Sequence, residues 1–199
     1  MLYSHKPEIM NYSFLLIAFI LSPFSLMGQQ DTAPPAQKNL IYWSEGQKLV
    51  WTDFDGLAER YSEHAAFSVV GLESRMDFSD SEYRVSIGTY FEKDESWSKT
   101  WTALLLMHEQ GHFDLAEIHA RKFRKQVLEV IRAGRLTTSE FKALHESVMA
   151  DLKNAQNEYD KATNFSMDYR EQLKWKERIE EELQRLSDHA DPEMIVEIQ

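Results

Sequence analysis

Between about residues 98 and 132 the chain has no proline and a single glycine, Gly111, and its apolar residues recur at helical spacing. Within this stretch lies His108-Glu109-Gln110-Gly111-His112. Residues four apart on a helix sit one turn from each other on the same side. Two imidazoles so placed can converge on one tetrahedral Zn2+ at about 2.0 to 2.1 Å each. Glu109 projects about 100° round from His108, beside such an ion rather than onto it, where a carboxylate can take a proton from metal-bound water. Trp101, Leu104, Leu105, Leu115 and His119 share the face of the two histidines, so the motif belongs to the apolar side of a long helix. Imidazoles and a carboxylate on a buried face are costly unless something uses them. On the motif alone a rival reading stays open, that of a helical interaction protein with incidental histidines, because so short a pattern also arises by chance.

Composition narrows who else can hold an ion. The chain has no cysteine, which excludes disulfides, thiolate ligands, a cysteine nucleophile and an amino-terminal lipid anchor, so further ligands must be His, Asp or Glu. Lysine and arginine total 22 against 33 acidic residues, a net charge of -11 that repels phosphate backbones and excludes nucleic acid as a partner.

Around the long helix the pattern predicts an α+β fold, with a small N-terminal sheet packed against a helical half. Leu40 to Trp43 and Leu49 to Trp51 read as a hairpin-like opening, and Ala65 to Met76 as a strand region. Tyr83, Val85, Ile87, Thr89 and Phe91 alternate with smaller or polar residues and form the clearest strand, 83–91, which as an edge strand could hold an extended substrate. Gly134 stops the long helix. Thr137 with Glu140 makes a capping box for a second helix striped with Phe141, Leu144, Val148, Leu152, Ala155 and Tyr159. A third helix, roughly 167–187, carries Tyr169, Leu173, Ile179, Leu183 and Leu186.

The amino-terminal segment stands apart. Residues 12–28 are an uncharged apolar run behind Lys6, and a polar stretch follows at once. This predicts an export signal over 1–28, cleaved after Gly28, with a membrane anchor as the alternative that Pro23 and the shortness of the run disfavour. Residues 29–38 read as a flexible leader, 39–187 as the domain and 188–199 as a C-terminal tail. The expected location is periplasmic or extracellular, with no membrane association after cleavage.

The run LLLMHEQGHFDLAEIHAR, followed by NEYDKATNFSMDYREQLKWKERI, resembles the bacterial family known as domain of unknown function 922. LVWTDFDG and FEKDESWSK are similar to its other recurring stretches, so the resemblance runs from about residue 40 to 180. It implies a zincin-like metallopeptidase fold in which His108 and His112 are zinc ligands and Glu109 is the general base. The family's second block places a histidine after Tyr-Asp and Thr, where this chain has Tyr159, Asp160, Thr163 and then Phe165. Catalytic zinc takes three protein ligands, and Asp160 is the best substitute on chemistry. Its alternative is a helix-end carboxylate bonded to a neighbour. Among other candidates, Glu117 suits a pair with Arg121, Asp114 either orients a ligand histidine or, the favoured reading, faces solvent, His119 lines the same groove, and His145 is a core-edge histidine. Tyr159, Gln172 and Trp175 are assigned to packing. The expectation is a secreted, zinc-dependent hydrolase acting on a peptide or protein substrate. Its rival is an inactive zincin-like binding or scaffold module of the bacterial envelope.

Overall fold

The computed structural model describes residues 39–79 and 81–198. The expected signal and leader lie outside the described residues. The described chain forms strands β1 (Leu40–Tyr42), β2 (Ala66–Phe67), β3 (Val70–Phe78), β4 (Glu82–Glu92) and β5 (Trp97–Ser98), then helices α1 (Ala103–Ala133), α2 (Thr138–Ala162) and α3 (Tyr169–Arg185), and a last strand β6 (Glu193–Glu197). This is the α+β class read from the sequence.

Strand β4 organises the sheet. β3 pairs antiparallel with it from Val70 opposite Phe91 to Phe78 opposite Tyr83. Its other edge is shared by β1, with Leu40 opposite Glu92, and β6, with Glu82 opposite Glu197. Two expectations are corrected here. Both edges of 83–91 are occupied, so this strand cannot take an extended substrate as an added strand. Residues 188–199 are not simply a tail, because Met194 and Val196 of β6 pack against the main core while Glu193, Ile195 and Glu197 alternate outward.

The predicted opening hairpin does not form either. β1 pairs with β4, and Trp51–Asp53 is one turn of 3-10 helix held by the Val50 N–H donating to Asp53 Oδ2 at 2.9 Å. Leu49 instead plugs a small cluster with Phe91 and Phe113.

The period-two pattern of β4 points Tyr83, Val85 and Ile87 at α1, where Ala116, Ala120, Phe123, Val127 and Ile131 meet them. Two alanines on that face let the helix lie close to the sheet. α1 starts later than its pattern predicts: Trp97 and Ser98 pair with β2, Trp101 is exposed, and Thr102 caps the helix by accepting from the Leu105 N–H at 3.2 Å. Gly134 ends it, its N–H turning back to the carbonyls of Val130 and Ile131. The Thr137–Glu140 capping box opens α2 as read. Tyr169 and Leu173, expected on the apolar stripe of α3, are exposed, while Gln172 and Ile179 are buried.

A buried polar knot ties α1 to its surroundings. Glu117 accepts from Arg121 Nε at 3.0 Å, Arg124 Nη1 at 2.9 Å and Thr89 Oγ1 at 2.8 Å. Arg124 also donates to the carbonyls of Ile87 at 2.7 Å and His189 at 2.9 Å, and Arg121 to that of Leu183 at 2.6 Å. Among the described residues, no helix is long and apolar enough to cross a membrane.

Candidate metal centre

One turn of α1 and the last turns of α2 build the site. His108 Nε2 lies 3.1 Å from Asp160 Oδ1, His112 Nε2 lies 3.1 Å from the same oxygen, and the two Nε2 atoms are 3.1 Å apart. Three donor atoms thus form an equilateral triangle. Ligands at about 2.0 Å on a tetrahedral ion stand about 3.3 Å from one another, so the triangle has the size that three corners of such a site require. The residue types fit as well, two imidazoles and one carboxylate with a fourth corner left for water. Asp160, two residues from the end of α2, bonds to both histidines, and these three residues could hold a metal ion.

The same atoms are strongly coupled electrostatically. Burial pushes the His112 imidazole down, but the hydrogen bond and charge of Asp160, with the charge of Glu109, outweigh it and lift the imidazole to about 9. Burial raises Asp160 too, yet the two imidazoles hold its carboxyl well below the usual range. His112 and Asp160 thus favour each other's charged forms.

Glu109 is buried beside the triad and outside it. Ser68, in the link between β2 and β3, donates to Glu109 Oε2 at 2.5 Å. That contact holds one carboxylate oxygen and leaves Oε1 for other partners. Behind the ligands, the Tyr159 ring stacks on His108 with centroids 4.6 Å apart, and Trp175 packs on Tyr159 at 5.3 Å. Burial drives the Tyr159 phenol well above its ordinary value, so it stays protonated. Its hydroxyl donates to the His108 carbonyl at 3.3 Å.

Phe165 is not part of the triad. It is 52% exposed, its ring lies 6.3 Å from that of His64, and it sits in a run of three left-handed residues, Asn164, Phe165 and Ser166. The Phe165 N–H closes this turn on the Asp160 carbonyl at 2.8 Å. Other expectations divide. Glu117 does pair with Arg121, and His145 sits at the core edge against Phe123 with Ser74 Oγ at 2.7 Å. Asp114 does not face solvent: it is buried and accepts from Trp43 Nε1 and Gln110 Nε2, both at 2.8 Å. His119 turns its Nδ1 to the Leu115 carbonyl at 2.8 Å and is buried in its own helix face rather than lining the site.

Gln172 is more than packing, since its Oε1 is 3.1 Å from His108 Nδ1. Gln156 and Ser68 escaped notice in the sequence. For Gln156 a signal existed, because it lies four residues before Asp160 on α2 and so shares its face. For Ser68 there was none. A cavity of about 270 Å³ opens between α1 and α3, lined by Leu106, Met107, Gly111, Tyr159 and Ile179 among others. It lies behind Tyr159 and Gln172, and neither the triad nor Glu109 lines it.

Residues 89–167 match the family described as bacterial protein of unknown function, DUF922. The span is narrower than the resemblance read over residues 40 to 180, but it covers His108, Glu109, His112 and Asp160 and supports that family for this segment. No curated protein and no solved structure matches the chain.

Proposed function

We propose that the chain is an exported zinc-dependent hydrolase of the zincin type that cleaves peptide bonds. His108, His112 and Asp160 hold the ion, and Glu109 is the general base. The observation that carries this reading is the triangle of donor atoms with 3.1 Å edges, set beside a buried carboxylate one residue along the same helix. When bound, the ion would supply Lewis acidity, making water acidic enough to attack near neutral pH and polarising a carbonyl. Glu109 does the chain's own chemistry. With Oε2 held by Ser68, its Oε1 takes the proton of the attacking water and delivers it to the leaving amine. Tyr159 and the buried wall behind His108 exclude water from the ligand side.

Two measurements test this. Elemental analysis of protein purified without added metal should find zinc in the wild type and none in His108→Ala. Iron there would favour the oxygenase-type centre that two histidines and a carboxylate can also build. Glu109→Gln should keep the metal and lose about 10² to 10⁴-fold in hydrolysis of a casein or mixed peptide substrate. Hydrolysis undiminished in that variant overturns the mechanism, and a wild type that binds zinc but cleaves nothing supports the scaffold reading.

A further inference from the structure

The two ligand imidazoles each present their second nitrogen to a glutamine amide. His108 Nδ1 meets Gln172 Oε1 at 3.1 Å, and His112 Nδ1 meets Gln156 Oε1 at short range. The orientation of each amide is fixed by its other end. Gln156 Nε2 donates to the backbone carbonyl of His112 at 3.0 Å, and a flipped amide would set oxygen against oxygen there. Gln172 Nε2 donates to the Tyr159 hydroxyl, whose own proton goes to the His108 carbonyl. Thr163 Oγ1 donates to the Tyr159 carbonyl at 2.8 Å and so offers His108 Nδ1 a second lone pair at 3.4 Å. Every partner of the two Nδ1 atoms is therefore an acceptor, and each Nδ1 must carry the hydrogen.

We infer that Gln156 and Gln172 are positioning residues for the metal: they lock both imidazoles in the Nδ1–H tautomer, so that both Nε2 lone pairs point at the ion. This rests on the zinc reading above and adds to it the two groups that prepare the ligands. Both amides are buried and uncharged. The centre therefore gains orientation from them without a second negative charge. The arrangement is also repeated: each amide joins the Nδ1 of a ligand histidine to the backbone carbonyl of that same histidine, directly for His112 and through Tyr159 for His108.

The test is zinc affinity, measured by competition with a chromophoric chelator on the whole protein. Gln156→Met and Gln172→Met keep the volume and remove the acceptor, and each should weaken zinc binding about 10- to 100-fold. Gln156→Glu and Gln172→Glu restore an acceptor for the Nδ1–H and should bind at least as tightly as the wild type, since a carboxylate raises ligand basicity. Circular dichroism of each variant checks that it has folded. In the zinc-loaded wild type, long-range 15N–1H spectra should show both imidazoles protonated at Nδ1, a signature that mere packing would not set. Wild-type affinity in both methionine variants overturns the inference, as does an equal loss in the methionine and glutamate variants of either position. Failure of the underlying zinc reading looks different: the wild type then binds no better than His108→Ala, whatever the glutamine variants do.

Discussion

Gly111 stands in the middle of α1, where alanine would ordinarily stabilise a helix by about 1 kcal/mol. A Cβ at this position would run into the Tyr159 hydroxyl, so the glycine is what lets that ring lie flat against His108. Gly111→Ala should therefore reverse the usual sign, lowering the urea midpoint and weakening zinc binding together. A second prediction separates Asp160 from Phe165. On the proposed reading, Asp160→Ala removes one corner of the triangle and should strip the metal, whereas Phe165→His should change zinc affinity little, since Asp160 would already fill that corner. A large gain in the histidine variant, by metal titration, would contradict the assignment. At this scale the sequence was legible where spacing along one helix decides the geometry, as for His108, Glu109 and His112. It was not legible where a partner comes from far along the chain. Gln172 is 64 residues from His108, Ser68 is 41 from Glu109, and Trp43, which bonds Asp114, is 71 residues from it.

Among the elements, α1 serves both halves of the molecule. Its face at Ala116, Ala120 and Phe123 covers the sheet, and its first turns hold the candidate ligands. Between these regions sits Glu117, shared by two buried arginines. Removing one partner of such a group leaves charge without compensation, so Glu117→Gln should cost about 3 to 5 kcal/mol of unfolding free energy, measured with urea. A loss below about 1 kcal/mol would mean that the arginines find other acceptors. The helices and β4 were legible because their apolar periods persist over many residues and their ends carry caps. β6 was not, since its alternation spans only five residues and what makes it a strand is the free lower edge of β4. The opening hairpin failed for the complementary reason: β1 finds a better partner in β4 than in the residues that follow it.

For the molecule as a whole, two histidines away from the candidate metal site set an acid limit. Burial holds His119 and His145 below their ordinary value. On acidification the unfolded chain therefore takes up these protons first. Their contribution to stability is complete well above the unfolded value of about 6.5 and is lost progressively as the pH falls through it. Urea unfolding in the presence of a chelator should show stability falling between about pH 7.5 and pH 5.5, and His119→Gln should reduce that fall. An identical pH slope in the variant would remove His119 from the account. The separation of the candidate ligands has a further consequence. His108 and Asp160 are 52 residues apart, and an ion bound to both closes that whole span of chain into a loop. In a protein without a single cysteine, the metal is then the cross-link that a disulfide would otherwise provide. Such a staple, unlike a covalent one, is only as strong as its supply. Thermal unfolding should shift with free zinc, and how long the protein resists proteolysis would follow the zinc content of its surroundings.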